Sequence, residues 1–296
     1  MDAANGRSSG ARRLFVAFAL LSLAAVGLGV LICAGSGVPA VSWGRNLAAW
    51  AVGGALAAAI ALLAPRRTTV VALPIALLGV GATLIAPGQD GVHRWITLGP
   101  LYINMAMLLL PAAAVALGSE GRGRGWRWTV AFALLALLVW QPDASQATAW
   151  ALVMILVAAR EEAGRAVKAL LMFGTAVMAA MAWARPDPLE PVPEVEEVFR
   201  LGWEVSPALA IAAAVLLAAC ALTPLAFNRS SGGAARLAGA ALSLTLVTWA
   251  VMPALGDFPA PLVGIGMSPI VGAWLGVGLL AGRLRAGRDR GRLTDP

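Results

Sequence analysis

Two clusters in this chain combine residue types that can do chemistry. The run Gly91-Val92-His93-Arg94-Trp95-Ile96-Thr97-Leu98-Gly99-Pro100 sets the single histidine beside an arginine and a tryptophan, between two long apolar stretches. A guanidinium presents a planar fork of donors that grips phosphate oxygens two at a time, and an indole packs against the apolar part of the same ligand. The pair suits an anionic, partly apolar molecule such as a lipid-linked phosphate; the plainer alternative is an interfacial anchor. The second cluster is Glu194, Glu196 and Glu197. Crowded carboxylates repel, which raises the pKa of at least one and makes it a base able to take a proton from a hydroxyl. Its plainer alternative is a solvated acidic loop. Between the clusters lies Gln141-Pro142-Asp143, an ionisable residue within an otherwise apolar stretch. Such a residue marks a functional site by default, although Pro-Asp before Ala144 and Ser145 also has the form of a helix N-cap.

The elements that must hold these residues are membrane helices. Hydrophobic residues make up 60% of the 296, charged residues only 12%, and mean hydropathy is +0.81. A soluble domain carries about 25% charge. With about 20 apolar residues per crossing, the spans fall near 13–33, 46–64, 68–87, 100–118, 126–140, 147–160, 167–184, 205–226, 235–255 and 260–281. The expected fold is all-α, a single membrane domain of about ten helices over 13–282. It is flanked by a cytoplasmic tail at 1–12 and a basic one at 283–296, both read as disordered. With the N-terminus inside, 18 of the 22 Lys and Arg fall on the inner face, and Arg45, Arg94, Arg185 and Arg200 on the outer. That asymmetry follows the positive-inside rule and puts both termini in the cytoplasm. The net charge of +7 is thus read as topology and contact with anionic membrane lipids, with no nucleic acid as partner. Cys33 and Cys220 lie in apolar segments and read as packing residues. No P-loop, zinc, GxSxG or dinucleotide signature is present.

Two outer segments stand out. From Trp126 to Arg160 there are 35 residues for two crossings and a turn, where two crossings of a bilayer core need about 40. The Gln141–Gln146 turn should therefore sink below the outer surface, with Asp143 in a recessed cavity. The loop from Arg185 to Glu204 holds six carboxylates, two arginines and an opening run of four prolines. Its first half should be extended and Glu194–Glu204 a short helix.

Three blocks resemble the SEDS family of polytopic membrane proteins (RodA, FtsW, SpoVE). Residues 91–99 look like its Gly-Ala-x-Arg-Trp-Ile-x-Leu-Gly loop, and Gln141-Pro142-Asp143 like its Gln-Pro-Asp-Leu-Gly-Thr turn. Pro259–Ser268 resembles the opening of its last span. The resemblance implies a glycosyltransferase in the bacterial cytoplasmic membrane that polymerises lipid II on the outer face for cell shape or division. It further implies a single-span class B penicillin-binding protein as partner, and a divalent cation, Mg or Mn, could share the charge of the substrate's pyrophosphate. On that reading Glu197, then Glu196 and Glu194, would be the catalytic base, with Arg94, Trp95, Gln141 and Asp143 binding substrate. The chain departs from the family pattern at Pro193-Glu194-Val195-Glu196-Glu197-Val198-Phe199, where Val198 stands in place of an aspartate thought catalytic. A non-catalytic lipid-binding or scaffold protein of the cell-wall machinery is therefore the second reading, and a transporter or flippase of lipid-linked substrates the third.

Overall fold

The computed structural model describes residues 2–63, 68–119, 125–227 and 233–292. Arg66, Arg67, Arg122, Arg124 and Arg229 of the inner-face count lie outside these, as do residues 293–296 of the basic tail. In chain order the helices are α1 (Asp2–Gly35), α2 (Ala40–Leu63), α3 (Thr68–Ala82), α4 (Met105–Ser119), α5 (Gly125–Trp140), α6 (Ala144–Ala158), α7 (Arg165–Trp183), α8 (Pro193–Glu196), α9 (Val198–Val205), α10 (Pro207–Ala226), α11 (Gly233–Val251) and α12 (Met267–Arg292). Seven carry a stretch long and apolar enough to cross a membrane, and α4, α5 and α6 are shorter apolar helices. These account for the ten expected spans among the described residues. The protein is an all-α polytopic membrane protein.

Four boundaries differ from the sequence reading. The helical backbone of α1 and α12 runs through residues 2–12 and 283–292, because extending a formed helix adds one hydrogen bond per residue fixed. The last span opens at Met267 rather than 260, since Pro259 and Pro261 cannot donate to a helix ladder. The acidic helix is two pieces, α8 and α9, parted at Glu197 (φ −104°, ψ 20°). The loop after Arg94 is a hairpin: β1 (Trp95–Leu98) pairs antiparallel with β2 (Leu101–Asn104), with Trp95 opposite Asn104 and Leu98 opposite Leu101. Gly99 takes φ +57° and Pro100 has a ring-fixed φ, the combination that closes a two-residue hairpin.

Helix α12 is the centre of the bundle, packed on α1, α2 and α4. A Cβ on its Gly278 would strike the Ala57 backbone of α2, and one on Gly272 the Met107 and Leu108 backbone of α4, so these glycines allow backbones to touch. Trp274 of α12 is fully buried and stacks edge-to-face or tilted with Phe15, Phe18 and Trp50 at 5.0–5.9 Å, tying α12 to α1 and α2. Helix α7 lies at the periphery, with only Thr175 and Ala182 buried.

Candidate functional site

The short helices α5 and α6 leave their connecting turn inside the protein. Gln141 and Asp143 are 2% and 4% exposed. Asp143 caps α6, its carboxylate accepting from the Gln146 amide (3.2 Å) and the Ser145 hydroxyl (3.0 Å). The Gln146 side chain continues the chain, its amide donating to the Ser145 hydroxyl (3.3 Å) and its oxygen accepting from the Trp249 indole of α11 (2.8 Å). The cap reading and the recessed-carboxylate reading are thus both borne by one residue.

Arg94 crosses to this turn from the foot of the hairpin. It donates to the carbonyls of Gln141 (3.2 Å) and Pro142 (2.7 Å) and to the Asp187 carboxylate (2.6 Å), with Asp143 at 3.7 Å. Its side chain is 12% exposed. Two carboxylates beside one guanidinium leave the neighbourhood net negative, so Arg94 is engaged in joining loops. Gln141 lies behind it, donating to the Thr83 hydroxyl (2.6 Å), which is 2.7 Å from the His93 carbonyl. The His93 Nδ1 is 3.0 Å from the Ala86 carbonyl, so the histidine fastens its own loop.

These groups border a cavity of about 410 Å³, within the range of small-molecule sites. Of the residues singled out in the sequence, Arg94, Trp95, Asp143 and Glu196 line it. Asp187, Glu190 and Asp257 add acid to the wall, while Asn104, Ser145 and Ser268 add neutral donors and acceptors. Gln141, Glu194 and Glu197 are not among the lining residues. Glu197 accepts from Arg200 (Nε at 2.9 Å), which also pairs with Glu204 (2.7 Å) on the exposed face of α9. Glu194 contributes its backbone carbonyl to the Ile265 amide. Val198 is fully buried, which turns it into the packing of α9 and away from solvent.

Glu196 is the carboxylate of the acidic triplet that reaches the cavity. Burial pushes its pKa up to about 7, helped by repulsion from Asp257 and Glu194 and opposed by backbone hydrogen bonds. Its Oε2 accepts from the Val192 amide at 2.8 Å. Sequence reasoning ranked Glu197 first because it adjoins Val198; in the structure Glu196, the last residue of α8, is the one that lines the cavity. Sequence reasoning also missed Arg45 of α2. Arg45 is exposed, borders the cavity, and has no ion-pair partner among the described residues. The available signal was its place among only four outer cations. Among the described residues, no group of three or more His, Cys, Asp or Glu side chains is placed to hold a metal ion.

No family model matches the sequence, and no curated protein sequence matches it. The fold does have counterparts. It superposes on the rod shape determining protein RodA of Thermus thermophilus with a TM-score of 0.66 at 22% identity, covering 90% of this chain and 95% of that one. An aspartate-to-alanine variant of that RodA gives 0.68 at 23%, covering 90% and 96%. A chain from a peptidoglycan synthase complex, solved for the structural coordination of polymerization and crosslinking, gives 0.62 at 21%, covering 92% and 97%. The chain therefore has the SEDS fold over almost its whole length.

Proposed function

We propose that this protein is a SEDS-type peptidoglycan glycosyltransferase of the bacterial cytoplasmic membrane, acting on lipid II at the outer face. The observation that carries the reading is one cavity holding a carboxyl with a pKa near 7 and a guanidinium, that of Arg45, without an ion pair among the described residues. In this reading Glu196 accepts the proton of the acceptor sugar hydroxyl as its oxygen attacks the anomeric carbon of the donor. The bond from that carbon to the pyrophosphate oxygen breaks, and undecaprenyl pyrophosphate leaves with the bonding pair. A base with a pKa near the working pH serves such a step best. Arg45 is the better partner for the pyrophosphate, since the charge of Arg94 is already matched by Asp143 and Asp187. Trp95 offers its ring to the sugar or prenyl chain. Arg94, Gln141 and Asp143 fix the walls.

The neighbouring fold from a peptidoglycan synthase complex supports a partner in crosslinking, which for this chain would be a single-span class B penicillin-binding protein. A second reading, a lipid-binding scaffold without turnover, is favoured by one observation: Glu197 and Val198, which adjoin and occupy the family's aspartate position, are turned away from the cavity. Incubating the purified protein with lipid II, with and without a partner transpeptidase, tests both. Glycan polymer supports the enzyme; bound lipid without polymer supports the scaffold, and movement of lipid II across vesicles the flippase.

A further inference from the structure

Helix α8 has four residues, too few to hold a shape unaided; the Val192 amide bonds the Glu196 carboxylate within the segment, so what sets that segment against the cavity must come from elsewhere. Two backbone bonds do this. The Ala260 amide donates to the Val195 carbonyl (3.0 Å) and the Ile265 amide to the Glu194 carbonyl (2.8 Å). The loop 259–266 thus brackets the segment immediately before Glu196. It approaches so closely that a Cβ on Gly264 would lie 2.5 Å from the Val195 carbonyl oxygen. The loop is itself an irregular path. Val263 and Gly264 donate to the Pro261 and Ala260 carbonyls, and buried Leu262 sits at φ +65°, a conformation a leucine keeps only when its surroundings impose it.

A side chain of α2 fastens the far end of this loop. Asn46 is 2% exposed; its Nδ2 donates to the Gly264 carbonyl at 2.9 Å, and its Oδ1 accepts from the Gly266 amide at 3.1 Å. A carboxamide is the side chain that offers one donor and one acceptor on a single edge, and here it reads a backbone carbonyl and an amide two residues apart. Leaving either unmet in the interior is costly. Asn46 also follows Arg45, so one turn of α2 presents the cation to the cavity and the amide to the loop.

We infer that Asn46 is a positioning residue for Glu196, acting through the 259–266 loop to set the carboxyl against the cavity and at a fixed distance from Arg45. The charged groups facing that carboxyl are Glu194 on its own segment, Asp257 before the loop, Asp187 and Glu190 on the proline-rich stretch, and Arg45 and Arg94 across the cavity. The catalytic meaning of this positioning rests on the reading of Glu196 as base, so the test uses no turnover.

Backbone hydrogen exchange and pH-dependent thermal unfolding of the full chain in nanodiscs are measured for the parent, Asn46→Leu, Asn46→Ser and Glu196→Gln, and for each Asn46 variant combined with Glu196→Gln. Loss of the clamp should speed exchange of the Ala260 and Ile265 amides and of residues 194–197 by about tenfold or more, as local opening becomes easier, with α11 unchanged. It should also shrink the change in Tm that Glu196→Gln produces between pH 4.5 and about 7, because a released carboxyl is solvated. Faster exchange confined to α2 and 264–266, or an undiminished Glu196 contribution at every pH, would overturn the inference. Should Asn46→Leu fail to fold, Asn46→Ser is read by the same two criteria. Failure of glycan synthesis in the parent would count against the enzyme reading and leave both criteria standing.

Discussion

Arg45 and Arg94 show how position in a network, rather than residue type, decides what a side chain does. Arg94 holds two carbonyls and two carboxylates, whereas Arg45 reaches the same cavity without an ion-pair partner among the described residues. Arg45→Gln should therefore raise KM for lipid II about 10–100-fold, the range for losing a hydrogen bond to a charged group, with little change in Tm. Arg94→Gln should act the other way, lowering Tm by releasing the Gln141–Asp143 turn and depressing kcat indirectly. Steady-state kinetics beside thermal unfolding separates the two. Asp143→Ala removes an N-cap and a partner of Arg94. It should cost about 1–2 kcal/mol of stability from the cap, read by thermal unfolding. The raised pKa of Glu196 has a sign that can be checked. Its folded value, about 7, lies above the ordinary 4.5, so between these pH values the folded state binds more protons than the unfolded state. Stability must then fall as pH rises through this window, and Glu196→Gln should flatten that part of the Tm profile.

At the scale of elements, the legible features were those set by period and length. Apolar runs located ten helices, and the 35-residue limit on α5 and α6 pointed to a recessed turn, whose Gln141 and Asp143 are buried within the protein. What escaped depends on contacts between distant segments. The Trp95–Asn104 hairpin is a short four-residue pairing whose signal in the sequence is the single dipeptide Gly99-Pro100. The break at Glu197 is local backbone geometry that parts Glu196 of α8 from the Glu197–Arg200 pair beside α9, and no periodicity over so few residues reports it. The Asn46 clamp spans 218 residues and had no local signature. The hairpin carries its own prediction. Gly99→Val forces a β-branched side chain into φ +57°, a strain of about 1–2 kcal/mol. It should lower Tm and displace Trp95, seen as altered tryptophan fluorescence on lipid addition.

Across the whole molecule, α12 is the axis, and the cavity forms where its first turn, the α5–α6 turn, the hairpin and the 187–196 segment meet. Asp143 and Ser268 stand at the starts of α6 and α12 and Asn104 at the end of β2 just before α4, while Glu196 ends the four-residue α8, which the 259–266 loop brackets. Fold and site thus differ in how well the sequence reported them: the scaffold follows hydropathy, the carboxyl follows a clamp. On the proposed function Glu196, rather than Glu197, does the proton transfer in glycan synthesis. The decisive quantity is the rate of polymer formation from lipid II by the parent, Glu196→Gln and Glu197→Gln proteins over pH 5.5–8.5 (a range set about the pKa near 7). The parent rate should rise with pH through an inflection about 7, Glu196→Gln should lose about 10²–10⁴-fold together with that inflection, and Glu197→Gln should keep both. Polymer formed at the parental rate by Glu196→Gln, or lost only in Glu197→Gln, would contradict it.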